Sequence, residues 1–235
     1  MRSGGGRVSL ATVASLRMAR FELVIFDCDG VLVDSERLAV RTEVEILSSL
    51  GWHLTEAEVA ERFVGRSAEY MHRQIEQRLG RQIDWEAVFE LRYRDVFRRE
   101  LRPVPGVADA LQRISATSCV ASSGTHRKIC SSLRWTGLLS YFDDRIFSVE
   151  DVARGKPAPD LFVHAATSMG VAREACAVVE DSPAGIEAGL AAEMGVFAFA
   201  GGLVPVERLQ LDGVVVFDDM RVLPELLEGE RAHAR

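Results

Sequence analysis

The chain has 235 residues, 48% of them hydrophobic and 27% charged, with a formal net charge of −7. That length holds one large domain or two modest ones around a sizeable core. The acidic balance excludes a general nucleic-acid or anionic-membrane binder, and no apolar run approaches the roughly 18 residues of a membrane-spanning helix.

Residues 1–20 carry four arginines, the run Gly4–Gly6 and no acid. They read as a disordered N-terminal extension, with Met18 as an alternative start and a targeting peptide as the competing reading. Phe21–Asp27 (FELVIFD) is then the first of five short apolar runs. The others are Ser118–Ser123, Ala175–Asp181, Val196–Gly201 and Gly213–Asp219. Their apolar residues are continuous rather than alternating, which predicts strands buried on both faces of a parallel sheet. Helical patterns fall between them at Val107–Ile114, Arg127–Trp135, Pro159–Met169 and Pro183–Met194. Strand alternating with helix predicts a doubly wound, Rossmann-like α/β fold. Residues 35–101 differ: Leu38, Val44, Leu47 and Leu50, then Met71, Ile75 and Leu79, recur at helical spacing without a strand. The chain therefore divides into an α/β core of residues 21–34 and 102–235 and a helical insertion of residues 35–101. Pro103, Pro105 and Gly106 mark the return to the core.

Four polar clusters sit at strand ends or in punctuated loops. Asp27-Cys28-Asp29-Gly30 ends the first run. On a strand, residues i and i+2 project to one face, so a phosphoryl group fits between the two carboxylates, one attacking and one protonating. Gly30 lets the backbone turn closely. A helix cap or a solvated loop is the alternative. Glu180-Asp181-Ser182-Pro183 follows another buried run. Capping explains one polar residue there but not two acids, and four converging carboxylates call for a cation. Mg²⁺ suits such oxygen donors. Ser122-Ser123-Gly124 is either a phosphate-binding strand end or an ordinary turn. Gly155-Lys156-Pro157 places a lysine in a tight loop. Of 28 basic residues, only Lys128 and Lys156 are not arginine, which weakens a surface role for Lys156. Lys128, on the helix after the second cluster, reads as a surface residue, and so does His126. The four cysteines (Cys28, Cys119, Cys130, Cys176) form no CxxC pair and read as reduced thiols of a cytoplasmic protein.

The order DxDGxxxDSE, strand-Ser-Ser, GKPxPD, strand-EDSxxG resembles the haloacid dehalogenase-like hydrolase superfamily from Phe21 to about Leu227. More narrowly it resembles the subfamily with a helical cap inserted after the first motif, which includes phosphoglycolate phosphatases, sugar-phosphate phosphatases and β-phosphoglucomutase. The resemblance implies roles residue by residue. Asp27 is the nucleophile that forms an aspartyl-phosphate, and Asp29 is the general acid and later the base. Ser122 binds phosphate, and Lys156 stabilises the nucleophile and the phosphoryl oxygens. Glu180 and Asp181 hold Mg²⁺ together with the Asp27 carboxylate and the Asp29 backbone carbonyl. Gly30, Ser123 and the cap residue Arg66 complete the substrate-binding set.

The implied activity is Mg²⁺-dependent hydrolysis of a small phosphorylated metabolite, a sugar phosphate or a phospho-hydroxy acid. A sugar-phosphate mutase is the first alternative and a non-catalytic metabolite binder the second. Ala39 stands where the mutase carries a cap histidine and Ala68 where it carries an arginine, which favours hydrolysis. Asp29 sets the chain apart from the dehalogenases. The lack of lysine in residues 35–101 sets it apart from the phosphonatases. The expected partner is the small substrate alone, with neither nucleic acid nor membrane. The expected state is a monomer, with a homodimer as the alternative. The cap is expected to hinge near Val33–Ser35 and Leu101–Gly106.

Overall fold

A computed structural model of the protein describes residues 21–64 and 68–229. Six parallel strands form one sheet: β1 (Leu23–Phe26), β2 (Thr117–Ser122), β3 (Ile146–Ser148), β4 (Cys176–Glu180), β5 (Gly195–Phe199) and β6 (Val214–Phe217), in the order β3-β2-β1-β4-β5-β6. The expected doubly wound α/β fold is therefore present. The chain builds outward from β1 to β3, then returns to lay β4 on the other side of β1. In open parallel sheets such a reversal leaves a crevice beyond the strand C-termini where ligands bind.

The continuous apolar runs follow from burial on both faces. Val24 and Phe26 of β1 join one core cluster with Val107 and Leu111 of α5 (Val107–Arg113), Ile129 and Leu133 of α6 (His126–Trp135), and Leu223 and Leu227 of α9 (Leu223–Leu227). Leu23 and Ile25 point the other way. They pack against Leu161, Phe162 and Ala165 of α7 (Asp160–Met169) and Ala188 of α8 (Pro183–Ala191). Successive side chains thus alternate faces, yet none reaches water.

Residues 35–100 hold α1 (Ser35–Ser49), α2 (Glu56–Phe63), α3 (Ala68–Leu79), a π-helical segment (Glu86–Glu90) and α4 (Leu91–Glu100), with no strand among the described residues. Their apolar faces make a cluster of their own around Ile46, Leu47, Val59, Phe63, Ile75 and Phe89. The segment is rooted by a short antiparallel ribbon. The Asp34 N–H donates to the Arg102 carbonyl (2.9 Å), and the Val104 N–H donates to the Leu32 carbonyl (3.0 Å).

Two local expectations change. The sequence pattern did not mark β3, a three-residue edge strand. And β1 stops at Phe26, so Asp27 and Asp29 do not share a strand face. The chain turns instead through Asp27–Val33, with Gly30 at φ +76° and the Leu32 and Val33 N–H groups both on the Cys28 carbonyl.

Phe142 is fully buried and meets Phe26 edge to face at 6.2 Å between ring centroids. Phe142→Ala is expected to cost about 3–5 kcal/mol in urea unfolding. Leu91→Ala, at a residue 49% exposed, should stay within about 0.5 kcal/mol of wild type.

Candidate active site

The C-terminal ends of β1, β2 and β4 bring the first, second and fourth clusters together, and the loop before α7 adds Lys156. The Lys156 side chain is only 4% exposed. Its ammonium donates to Asp27 Oδ1 (2.5 Å), Glu180 Oε1 (2.6 Å) and the Ala121 carbonyl (3.1 Å). An ammonium has three donors, so all are used. The Phe162 ring lies below it, with the nitrogen 4.8 Å from the centroid. Burial works against the Lys156 charge, but Asp27 and Glu180 outweigh it and raise its pKa.

Asp27 is buried, and burial pushes its pKa up against the pull of Lys156. One oxygen, Oδ1, is held by the lysine. The other, Oδ2, accepts no hydrogen bond among the described residues.

Glu180 departs from the expected cation-ligand role. Its Oε1 belongs to Lys156. Its Oε2 accepts from the Asp181 N–H (3.0 Å), the Ser182 N–H (3.0 Å) and the Ser182 hydroxyl (2.9 Å). The same hydroxyl caps α8 by accepting from the Gly185 N–H at 3.1 Å. A Cβ at Gly185 would stand 1.9 Å from the Glu180 carboxyl carbon, so only glycine lets α8 close over this carboxylate.

Asp181 is what Glu180 is not. It is buried, and its carboxylate accepts no hydrogen bond among the described residues. Burial, then Glu180, Glu36 and Asp27, push its pKa well up. A Cβ at Gly30 would meet Asp181 Oδ2 at 1.8 Å, so Gly30 supplies both the left-handed turn and the room for this carboxylate. Among the described residues no three His, Cys, Asp or Glu side chains converge as a metal nest. Asp27, Glu180 and Asp181 do gather at the strand ends, but only Asp27 and Asp181 keep carboxylate oxygens without a donor among the described residues. Such oxygen donors fit Mg²⁺, which keeps waters and substrate oxygens as its remaining ligands.

Asp29 holds a different partner. Its Oδ2 accepts from Lys128 Nζ at 2.6 Å, and its Oδ1 is shut off from solvent. Burial would raise the Asp29 pKa, but the Lys128 ammonium wins and lowers it, with a smaller contribution from the Ser35 hydroxyl. The expectation that Lys128 is an uninvolved surface residue is therefore wrong. Its stem is exposed, but its charge sits on the active-site carboxylate.

Ser122 is buried at the end of β2, and its Oγ accepts from the Gly124 N–H at 3.3 Å. Ser123 is exposed beside it. The Ser148 hydroxyl donates to the Gly124 carbonyl (2.7 Å) and fixes this turn. His126 is tied to the loop after β3. Its N–H donates to Glu150 (2.8 Å), and its ring Nε2 lies 2.9 Å from Asp151 Oδ1. Arg66 lies outside the described residues.

Sequence reasoning missed Lys128, Ser182 as the holder of Glu180, and Glu36. Glu36 Oε2 accepts from the Leu203 N–H at 3.2 Å, next to Asp181. The scarcity of lysine was the one signal for Lys128.

The sequence model of the haloacid dehalogenase-like hydrolase family matches residues 21–193. A 6-phosphogluconate phosphatase of Escherichia coli is 36% identical over 213 residues, covering 89% of this chain and 96% of its own. A phosphorylated carbohydrates phosphatase of Thermotoga maritima is 31% identical, over 71% of this chain and 79% of its own. Among solved structures, a haloacid dehalogenase-like protein of Agrobacterium tumefaciens superposes with a TM-score of 0.78 at 34% identity, covering 88% of this chain and 97% of that one.

Removing Lys156 leaves two buried carboxylates uncompensated. Lys156→Met is expected to lose about 3–5 kcal/mol of stability at neutral pH. Burial already holds Asp27 above its ordinary value, and the loss raises it further. A carboxyl with a raised folded-state pKa favours the folded protein at low pH and loses that contribution as pH rises through the folded value. The gap to wild type in urea unfolding should therefore narrow as pH falls below neutrality. A gap independent of pH would contradict this electrostatic account.

Proposed function

The chain belongs to the haloacid dehalogenase-like hydrolase family, and from that premise we propose that it hydrolyses a small phosphorylated metabolite, a sugar phosphate or a phospho-hydroxy acid, through an aspartyl-phosphate on Asp27. As a member with phosphatase relatives it is a phosphoric monoester hydrolase. The observation that carries the finer reading is the asymmetry of Asp27. One oxygen is locked to a buried ammonium, and the other is free.

In the first step Asp27 Oδ2 attacks phosphorus and the bond from phosphorus to the leaving oxygen breaks. Asp29, held as a carboxylate by Lys128 in the resting site, takes up a proton with the incoming ester and passes it to that oxygen. In the second step Asp29, now a carboxylate, takes a proton from water. The hydroxyl attacks phosphorus, and the bond from phosphorus to Asp27 breaks to regenerate the carboxylate. Lys156 offsets the repulsion between Asp27 and the anionic ester and stabilises the phosphoryl oxygens as charge shifts. Ser122 and the turn it ends offer a hydroxyl and N–H groups to the phosphate.

Asp27, Asp181 and the Asp29 carbonyl would hold Mg²⁺. When bound, the cation supplies charge neutralisation and orientation for the phosphoryl group. Glu180 serves as the brace of Lys156 rather than as a ligand. The helical residues 35–101 act as the cap, pivoting on the ribbon between Val33 and Pro103 and excluding bulk water when closed. Hydrolysis is favoured over phosphoryl transfer between sugar positions because Ala39 is packed in the apolar cluster with Tyr93 and offers no polar group.

A panel of phosphometabolites assayed with Mg²⁺ should show release of inorganic phosphate without a bisphosphate primer. Asp27→Asn should reduce turnover to background. Asp29→Asn should lower kcat by about 10²–10⁴-fold for alkyl esters. Chelation should abolish activity and Mg²⁺ restore it. Turnover that survives Asp27→Asn would refute the mechanism.

A further inference from the structure

The cap carries a half-buried acid that the reaction steps above do not use. Glu43 lies on α1, whose first residue, Ser35, sets its hydroxyl against the Asp29 carboxylate. Ser35, Ala39 and Glu43 recur every four residues and so share one stripe of the helix. At a rise of 1.5 Å per residue, Glu43 stands about 12 Å along α1 from Ser35. Ala39, between them, adds only a methyl group and packs in the cluster that holds Tyr93. From α4 the Tyr93 hydroxyl donates to Glu43 Oε1 at 2.5 Å, and Glu43 Oε2 accepts no hydrogen bond among the described residues. The stripe thus starts at an active-site carboxylate, passes a residue without bulk and ends on an open acceptor. We propose that Glu43 Oε2 receives a hydroxyl of the leaving group, so that the site takes polyhydroxylated, uncharged sugar or polyol phosphates in preference to esters that end in a carboxylate. The proposal rests on the phosphatase reading given above.

Bracing the two helices does not account for the pair. Arg92 already ties α4 to Glu45 of α1 at 2.8 Å, and Arg41 of α1 ties to Glu100 of α4, both at exposed side chains. α4 also carries Arg94, Arg98 and Arg99, yet the donor on Glu43 among the described residues is a neutral phenol. Burial pushes the Glu43 pKa up, and the Tyr93 bond offsets that only in part. A half-buried acid with one neutral donor keeps a demand for further donors, which the hydroxyls of a sugar chain supply. Tyr93 is itself clamped between Phe89 and Phe97, with ring centroids 6.0 and 5.5 Å away, so its hydroxyl holds Glu43 in one place. A substrate carboxylate brought to the same point would meet like charge and have no proton to give. Attraction for one class and repulsion of the other together make the discrimination.

The test uses two esters that differ only at the carbon farthest from phosphate. Sorbitol 6-phosphate ends there in a hydroxymethyl group and 6-phosphogluconate in a carboxylate. The readout is the ratio of their kcat/KM values for phosphate release, which a loss of folded protein does not move. The wild-type ratio should favour sorbitol 6-phosphate by about 10-fold or more, the scale of a hydrogen bond to a charged group. Glu43→Gln keeps the shape and removes the charge, and should shift the ratio towards 6-phosphogluconate by about 10-fold or more, chiefly through KM. Tyr93→Phe, which frees Glu43 from its holder, should shift it the same way by less. A wild-type protein that favours 6-phosphogluconate, cleaves the two alike or cleaves neither while acting on other esters would overturn the specificity role. A ratio unmoved by Glu43→Gln would do the same, and each of these results leaves the phosphatase reading standing. Absence of phosphate release from every ester tried would remove that reading, and the specificity role with it.

Discussion

Everything at the crevice follows from one burial problem. An ammonium and a carboxylate each lose several kcal/mol of hydration on entering a protein interior, and the pair is viable only if every remaining donor and lone pair is met. Lys156 meets this by giving its three hydrogens to three acceptors. Glu180 meets it by filling Oε2 with two N–H groups and a hydroxyl from its own chain continuation. This condition dictates Ser182, Gly185 and the start of α8. It also dictates the strand order, because Asp27, Ala121 and Glu180 reach one nitrogen only if β1 lies between β2 and β4. The sheet's reversal of direction is what makes that neighbourhood possible.

The same condition sorts the acids into two kinds. Glu180 and Asp29 have committed an oxygen to a lysine and gained stability from it. Asp181 has no donor and sits against Gly30, Glu36 and the other acids with its charge unmet. A fold that buries such a group has left a demand for positive charge in place. Glu36 and Arg37, at the start of α1, both reach the loop after β5. Glu36 accepts from the Leu203 N–H, and Arg37 donates to the Gly201 carbonyl at 3.1 Å. The helical segment is thus tied to the core beside the carboxylate with the unmet charge.

Strands buried on both faces announce themselves in sequence, and four of the six did so within a few residues of their ends. The run at Ser118–Ser123, weakest in aliphatic residues, was legible as well, because turn residues follow it. β3 was not legible. Three residues at a sheet edge carry too little periodicity to rise above their surroundings. The site residues were legible because carboxylates after a buried strand lack a structural excuse. Their pairing was not, since partner choice depends on which loop lies nearest in space. Glu180 looked like a ligand because sequence shows its charge but not the Ser182 donors that consume it. Lys128 looked like surface because it falls on a helix beyond the second cluster; its stem is indeed half exposed, and exposure of a stem does not locate a charge.

The scarcity of lysine has a consequence for the chemistry this protein meets outside its own reaction. Reagents that acylate or alkylate amines ordinarily decorate a protein surface at many harmless points. Here the side chains offer them two targets. Lys156 is shielded, with 4% of its side chain accessible, while Lys128 is half exposed. Acylation would therefore fall first on Lys128 among the side chains and would erase its charge. A modification that is background noise in most proteins becomes, in this one, a direct change to the reaction centre.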